Sequence, residues 1–218
     1  MSPLQGPADA AAPPPGCGRE VATGRRRGRP RSPELTERFL AAVEELLARR
    51  GLRALSSDGL ATDVGAGKAA FYRRWPDVVA AAAEVVARTR LLACPADQGS
   101  LTADVAQLSV FLTRPMSTPE RAVGALVGVP DDRVRSAFRD ALDGPAEQVL
   151  RELLGRAGDR GETVGGAEPT AVAVFFLRSL VLSRLASGPV EEETAAGAAS
   201  VLRRLLAGPV VPSDPGPR

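Results

Sequence analysis

Apolar residues recur at three- and four-residue intervals over most of the chain, and glycine and proline punctuate the intervals between these stretches. The pattern predicts an all-α protein. Phe39, Leu40, Val43, Leu46 and Leu47 form the stripe of a helix over 33–50. Ser32 caps it, Pro33 and Glu34 suit its first turn, and Gly51 ends it. Ser56 and Ser57 offer oxygens to cap a short second helix starting near Asp58, with Leu60, Ala61 and Val64 on one face. Gly65 falls where that helix stops, because glycine accepts the left-handed backbone of a C-terminal cap. The chain resumes helically through Lys68, Phe71, Tyr72 and Trp75. Pro76-Asp77 opens a fourth helix to about Leu92, and Pro95 and Gly99 mark its break. Further helices are predicted at about 101–114, 118–128, 131–142, 145–157, 169–187 and 191–207. Their separators are Pro115, Pro119, Pro130, Gly144-Pro145, the loop from Gly158 to Glu168, and Gly188-Pro189.

Two of these features bear on function. Short helices joined by a glycine-containing turn across residues 56–75 match the helix-turn-helix pattern. In that motif the second helix enters the major groove of double-stranded DNA. At the other end, helix 169–187 is apolar nearly all round, from Val172 through Phe175 and Phe176 to Leu185, and must be covered on most sides. Helix 191–207 adds Ala195, Ala198, Val201, Leu202, Leu205 and Leu206. These two helices either complete the core of one subunit or form a bundle shared by two.

Charge sharpens the first feature. The net charge is only +2, yet residues 19–75 carry 13 Lys/Arg against 7 Asp/Glu, so the basic excess sits on the helix-turn-helix segment. Residues 1–24 are rich in Ala, Pro and Gly without periodicity and are expected to be a disordered tail, as is 209–218. Between tail and first helix, Arg25, Arg26, Arg27, Arg29 and Arg31 form a basic arm suited to phosphates or an adjacent minor groove. Lys68, Tyr72, Arg73 and Arg74 sit where they reach a base or a phosphate. For Tyr72, packing of the ring is an alternative compatible with that role. Phe71 and Trp75 are assigned to the core.

Other chemistry is poorly supported. With no histidine, the commonest acid–base catalyst and nitrogen metal ligand is missing, and the distant Cys17 and Cys94 build neither a structural zinc site nor a disulfide framework. Gly65-Ala66-Gly67-Lys68 resembles a phosphate-binding loop, but Thr62 and Ala69 break the pattern at both ends. Glu191-Glu192-Glu193 reads as the acidic start of a helix. No signal peptide is recognised, and the most apolar run, 171–187, contains Arg178 and Arg184, too polar for a membrane span. The expectation is a cytoplasmic non-enzyme without cofactor or metal.

The stretch from Leu55 to Pro76, through Leu60-Ala61, Gly65, Gly67-Lys68 and Phe71-Tyr72-Arg73-Arg74-Trp75, resembles the DNA-binding domain of the tetracycline-repressor (TetR) family. The resemblance is close over about 27–90 and looser to about 208. It implies a three-helix DNA-binding domain at 25–75 and a helical ligand-binding and dimerisation bundle at 76–208. By the same resemblance Tyr72 contacts phosphate, and Ser56, Lys68, Ala69, Ala70 and Arg73 belong to the DNA-contacting surface. Ala70 and Val78 stand where the family usually carries threonine and lysine, and Ala81 where leucine is common; each missing phosphate contact flattens the salt dependence by about one unit of slope.

The implied function is a ligand-responsive regulator, a repressor that binds a palindromic operator as a homodimer through helices at about 169–187 and 191–207, with a small-molecule effector. The candidate effector pocket is lined by Leu108, Phe111, Leu112, Met116, Leu126, Phe138, Phe175 and Phe176, each of which also suits ordinary core. Two alternatives remain: a DNA-binding dimer without effector, and a protein-interaction module on a degraded head.

Overall fold

The computed structural model describes residues 32–166 and 168–207, within which the chain is helical and no strand occurs. The predicted tails and the five arginines of the basic arm lie outside the described residues. Helix α1 (Pro33–Arg50) begins as local chemistry dictates: the Ser32 hydroxyl accepts from the Leu35 amide at 3.3 Å and Pro33 occupies the first turn. Gly51, at φ 72°, ends it. After a short 3₁₀ turn (Leu52–Ala54) come α2 (Ser57–Asp63), α3 (Lys68–Tyr72) and α4 (Val78–Arg88). The bundle continues through α5 (Leu101–Thr113), α6 (Thr118–Gly124), α7 (Asp132–Asp159), α8 (Ala171–Ser187) and α9 (Glu192–Ala207).

Four boundaries differ from expectation, the first being α3, which ends at Tyr72 and reaches Trp75 through a turn. The helices predicted at 131–142 and 145–157 are one, α7, which runs through Gly144 and Pro145. A proline inside a helix removes one amide donor and crowds the preceding turn, at a cost of about 3 kcal/mol. Here the buried row on either side of it, Val134, Ala137 and Leu142, then Ala146, Val149, Leu150, Leu153 and Leu154, keeps the helix continuous against its neighbours. Helix α4 stops at Arg88, and Leu91 and Leu92 are buried from a non-helical segment. Helix α6 stops at Gly124, and the turn that follows closes at Gly128, φ 84°.

The core is a single apolar cluster running from α1 to α9. Helix α1 packs on α4 and α6, α4 on α7, α7 on α8, and α5 on α9. The apolar α8 buries Ala173, Leu177, Val181 and Leu185, while Val172 and Phe175 lie open on its other side. Where α6 meets α8 the backbones nearly touch, and a Cβ on Gly124 would overlap the Leu185 carbonyl oxygen. Alanine normally stabilises a helix relative to glycine by about 1 kcal/mol, but a backbone atom cannot rotate away. Gly124→Ala is therefore expected to lose about 1–3 kcal/mol in urea denaturation; equal or greater stability would mean that α6 slides freely over α8.

Charge is also buried. Arg184 is 0% exposed, with Nη1 donating to the Glu120 carboxylate at 3.1 Å and Nη2 to the Arg114 carbonyl at 3.2 Å. Its guanidinium lies 4.5 Å from the Phe111 ring centroid. The predicted break at 158–168 holds a second polar cluster: Arg160 binds the fully buried Asp104 at 3.0 Å and Glu162 at 2.7 Å, and Glu162 in turn accepts from the first amide of α5.

Candidate nucleic-acid interface and bundle cavities

Helix α2 ends as the sequence requires. The Ala66 amide bonds back to the Ala61 carbonyl at 2.8 Å and the Gly65 amide to Thr62 at 3.0 Å, with Gly65 at φ 62°. This double closure sets the turn into α3. The five residues of α3 are too few to be stable alone. Its anchor is the ring cluster of Phe71 with Phe39 (5.6 Å between centroids) and Trp75 (5.3 Å), all buried. The Trp75 indole N–H donates to Glu84 of α4 at 2.5 Å, which locks the end of the head to the next helix.

At about 100° per residue, α3 sorts its side chains into two faces. Ala70, Phe71 and Arg74 face inward. Ala70 is 6% exposed, and Arg74 donates to the Thr36 hydroxyl at 2.8 Å and the Ser32 carbonyl at 3.0 Å, both at the start of α1. Lys68, Ala69, Tyr72 and Arg73 form the exposed face. Tyr72 is 50% exposed, its hydroxyl sharing a 3.1 Å hydrogen bond with that of Ser57 at the start of α2. Lys68 donates to Asp58 at 2.9 Å, a bond that raises its pKa and keeps the ammonium charged. Ser56 is exposed, with its hydroxyl accepting from the Gly59 amide at 3.1 Å as the α2 cap.

In the bundle, a cavity of about 480 Å³ lies between the α6–α7 connection, the first half of α7 and α8. Its apolar walls include Leu126, Val129, Phe138 and Leu142, and Arg135, Arg139 and Arg178 stand around it. A separate groove of about 600 Å³ along α7 and α8 includes Phe175, Val174 and Glu147. Head and bundle meet at Asp77, the α4 cap. One carboxylate oxygen accepts from the Ala80 amide at 2.8 Å and the other from Arg133 of α7 at 2.9 Å. Burial alone would raise this carboxyl, but these bonds outweigh it and lower the pKa.

Comparison with known proteins then decides the family. Residues 95–202 match the model of a tetracyclin repressor-like C-terminal domain. An HTH-type transcriptional regulator of Mycobacterium bovis is 32% identical over 146 residues, covering 63% of this chain and 69% of that protein. A regulator from Mycobacterium tuberculosis H37Rv matches to the same extent. The chain belongs to the TetR family of transcriptional regulators. Its fold is shared with Salmonella enterica GusR, at TM-score 0.57, 18% identity and coverage of 78% of this chain and 92% of that one. NalD, the secondary repressor of the MexAB-OprM efflux pump in Pseudomonas aeruginosa, gives 0.53, 18%, 80% and 98%. TetR-family regulators bind DNA and form dimers, and they are not enzymes. No helix among the described residues is long and apolar enough to cross a membrane.

On this TetR-family head, Lys68, Ala69, Tyr72 and Arg73 share one face with Ser56 exposed nearby, whereas Ala70 and Arg74, expected on that face, turn inward. Ala70 packs in the core, and the Arg74 guanidinium donates to Thr36 and Ser32 at the start of α1 and to the Ala70 carbonyl at 2.7 Å. In the bundle, the predicted pocket residues do not converge. Leu126 and Phe138 line the cavity, and Phe175, 66% exposed, lies on the other groove. Leu108 and Leu112 are buried in α5, Met116 and Phe176 are half-buried, and Phe111 is flanked by Arg184 and Arg114, the latter at 5.2 Å. The sequence reading missed the partners Ser57, Asp58 and Glu84 and the arginines around the cavity. Arg178 and Arg184 were the available signal, because a charge on an otherwise apolar helix needs a reason to be there.

Proposed function

We propose that the chain is a ligand-responsive transcriptional repressor that acts in the cytoplasm and binds a palindromic operator as a homodimer. Residues 25–75 serve as the reading head and 76–208 as the regulatory and dimerisation bundle. The observation that carries this reading is the single exposed face of α3. Lys68, Ala69, Tyr72 and Arg73 point one way from a helix whose opposite side is fixed by Phe71 and Arg74. Ser56, Lys68 and Ala69 sit towards the base edges, and Tyr72 and Arg73 hold phosphate. The arm arginines 25, 26, 27, 29 and 31 add contacts that Ala70 and Val78 do not supply. Pairing of two subunits through α8 and α9 is supported by the open Val172 and Phe175 on α8 and Val201 on α9, which a partner would cover. A small-molecule effector acts by preferring the bundle conformation that spoils half-site spacing.

The test is a salt titration of binding to the DNA upstream of the gene. Expected are affinity that falls steeply with salt, its loss in Tyr72→Ala, and a slope lower by about one unit in Arg73→Ala. Deletion of residues 1–31 should weaken binding further. Binding indifferent to salt and to Tyr72 would leave a TetR fold without a working head, and binding unchanged by the deletion would remove the arm from the interface.

A further inference from the structure

The cavity between the α6–α7 connection, α7 and α8 carries charge of one sign among its lining residues. Its lining holds three arginines and not one carboxylate. Two of the three are already paired: Arg135 with Asp132 one turn earlier, and Arg178 with Asp143 at 2.9 Å. Arg139 has no ion pair or hydrogen bond among the described residues, and it stands one residue after Phe138 at the edge of the apolar walls. Arg139 is exposed, and a guanidinium without a protein partner at the mouth of an apolar cavity is open to a carboxylate through two parallel charge-assisted bonds. A cation there would meet the unpaired charge of Arg139, and a neutral molecule would leave Arg139 to water. The volume of about 480 Å³ falls within the range of small-molecule sites.

We propose that this cavity is the effector site and selects an apolar monocarboxylate, with Arg139 on the acid group and Leu126, Phe138 and Leu142 against the hydrocarbon. The assignment rests on the ligand-responsive reading above and adds the chemical class of the ligand. It also supplies a route to the head. Val134 and Arg135, on the cavity wall, belong to the same turn of α7 as Arg133, which grips the α4 cap Asp77. An occupant that moves this turn shifts the start of α4, two residues after Trp75.

Calorimetry on the full-length protein tests the class directly. Octanoate and 4-phenylbutanoate are titrated, each beside its alcohol and amine analogue. At least one acid should bind about tenfold more tightly than its analogues. Arg139→Gln should remove that tenfold preference and leave the alcohol unchanged, and Val129→Trp, which fills the cavity from the connecting turn, should abolish acid binding. Operator release is measured separately by fluorescence anisotropy. The assignment is overturned if neither acid binds, if alcohol or amine binds as well, or if Arg139→Gln leaves acid affinity intact. Failure of these tests in a protein that still binds its operator leaves the regulator reading standing. Arg139-dependent acid binding in a protein that binds no operator keeps the site and removes that reading instead.

Discussion

Glu120→Ala is expected to lose about 3–5 kcal/mol of folding stability, because it strands a charge inside the bundle. The Glu120 carboxylate accepts from Arg184 at 3.1 Å, from Arg114 at 2.7 and 2.9 Å, and from the Ser117 amide at 2.8 Å, closing the capping box of α6. Without it, Arg114 turns to solvent, but Arg184, at 0% exposure, cannot. Arg184 already leaves its Nε without a partner among the described residues, so nothing nearby takes over. The control is Glu120→Ala combined with Arg184→Met. Removing both charges and keeping an apolar chain on Phe111 should recover much of the loss, since a buried ion pair and a well-packed apolar pair are often of similar stability. A single substitution as mild as a surface one, in urea denaturation, would show that water reaches Arg184.

The same carboxylate predicts the acid limb of stability. Burial on its own would raise its pKa, but the bonds from Arg114, Ser117 and Arg184 outweigh burial and hold it at about 2, against an ordinary value of 4.5. A carboxyl lowered on folding contributes fully above its unfolded value, and its contribution is lost as pH falls through the folded one. Stability should therefore decline from about pH 4.5 towards pH 2, and Glu120→Gln should flatten that part of the curve.

The second large effect is expected at Phe71. Its ring is fully buried and meets Phe39 and Tyr72 at 5.6 Å and Trp75 at 5.3 Å, so Phe71→Ala should cost about 3–5 kcal/mol. It should also abolish operator binding at temperatures where the bundle remains folded, because the buried ring is the apolar anchor on which α3 holds its exposed face. Tyr72→Ala separates the two effects: DNA binding falls while the denaturation midpoint barely moves. If Phe71→Ala lowered stability but left DNA affinity intact, Arg74 and the turn at Gly65 alone would suffice to position α3.

Where local chemistry decides the backbone, the sequence announced it. Ser32-Pro33, Ser56, Gly65, Asp77 and Gly188 mark real starts and stops. Gly144-Pro145 carries equally strong stop signals and does not stop α7, because burial on both sides of it is a long-range effect that no window of sequence contains. The inward turn of Ala70 and Arg74 was legible, because helical spacing puts them on the side of Phe71; for Ala70 the resemblance to a family contact position pointed the other way. The bundle site was less legible. Apolar residues alone do not distinguish a wall from a core, and the arginines around the cavity come from both α7 and α8, which only the packing of the two helices brings together.

The uninterrupted α7 is about 42 Å long, from its 28 residues at the usual rise per residue. At Pro145 it has one bond fewer, because the Ala141 carbonyl has no amide to accept. The cavity residues that α7 itself supplies and Arg133 all precede this point, and the tightly packed Leu150, Leu153 and Leu154 follow it. Bending therefore costs least between the part that meets the head and the part that holds the fold. The helix is mechanically a lever with its weakest point at Pro145, between a half that meets the head and a half packed in the core of the bundle.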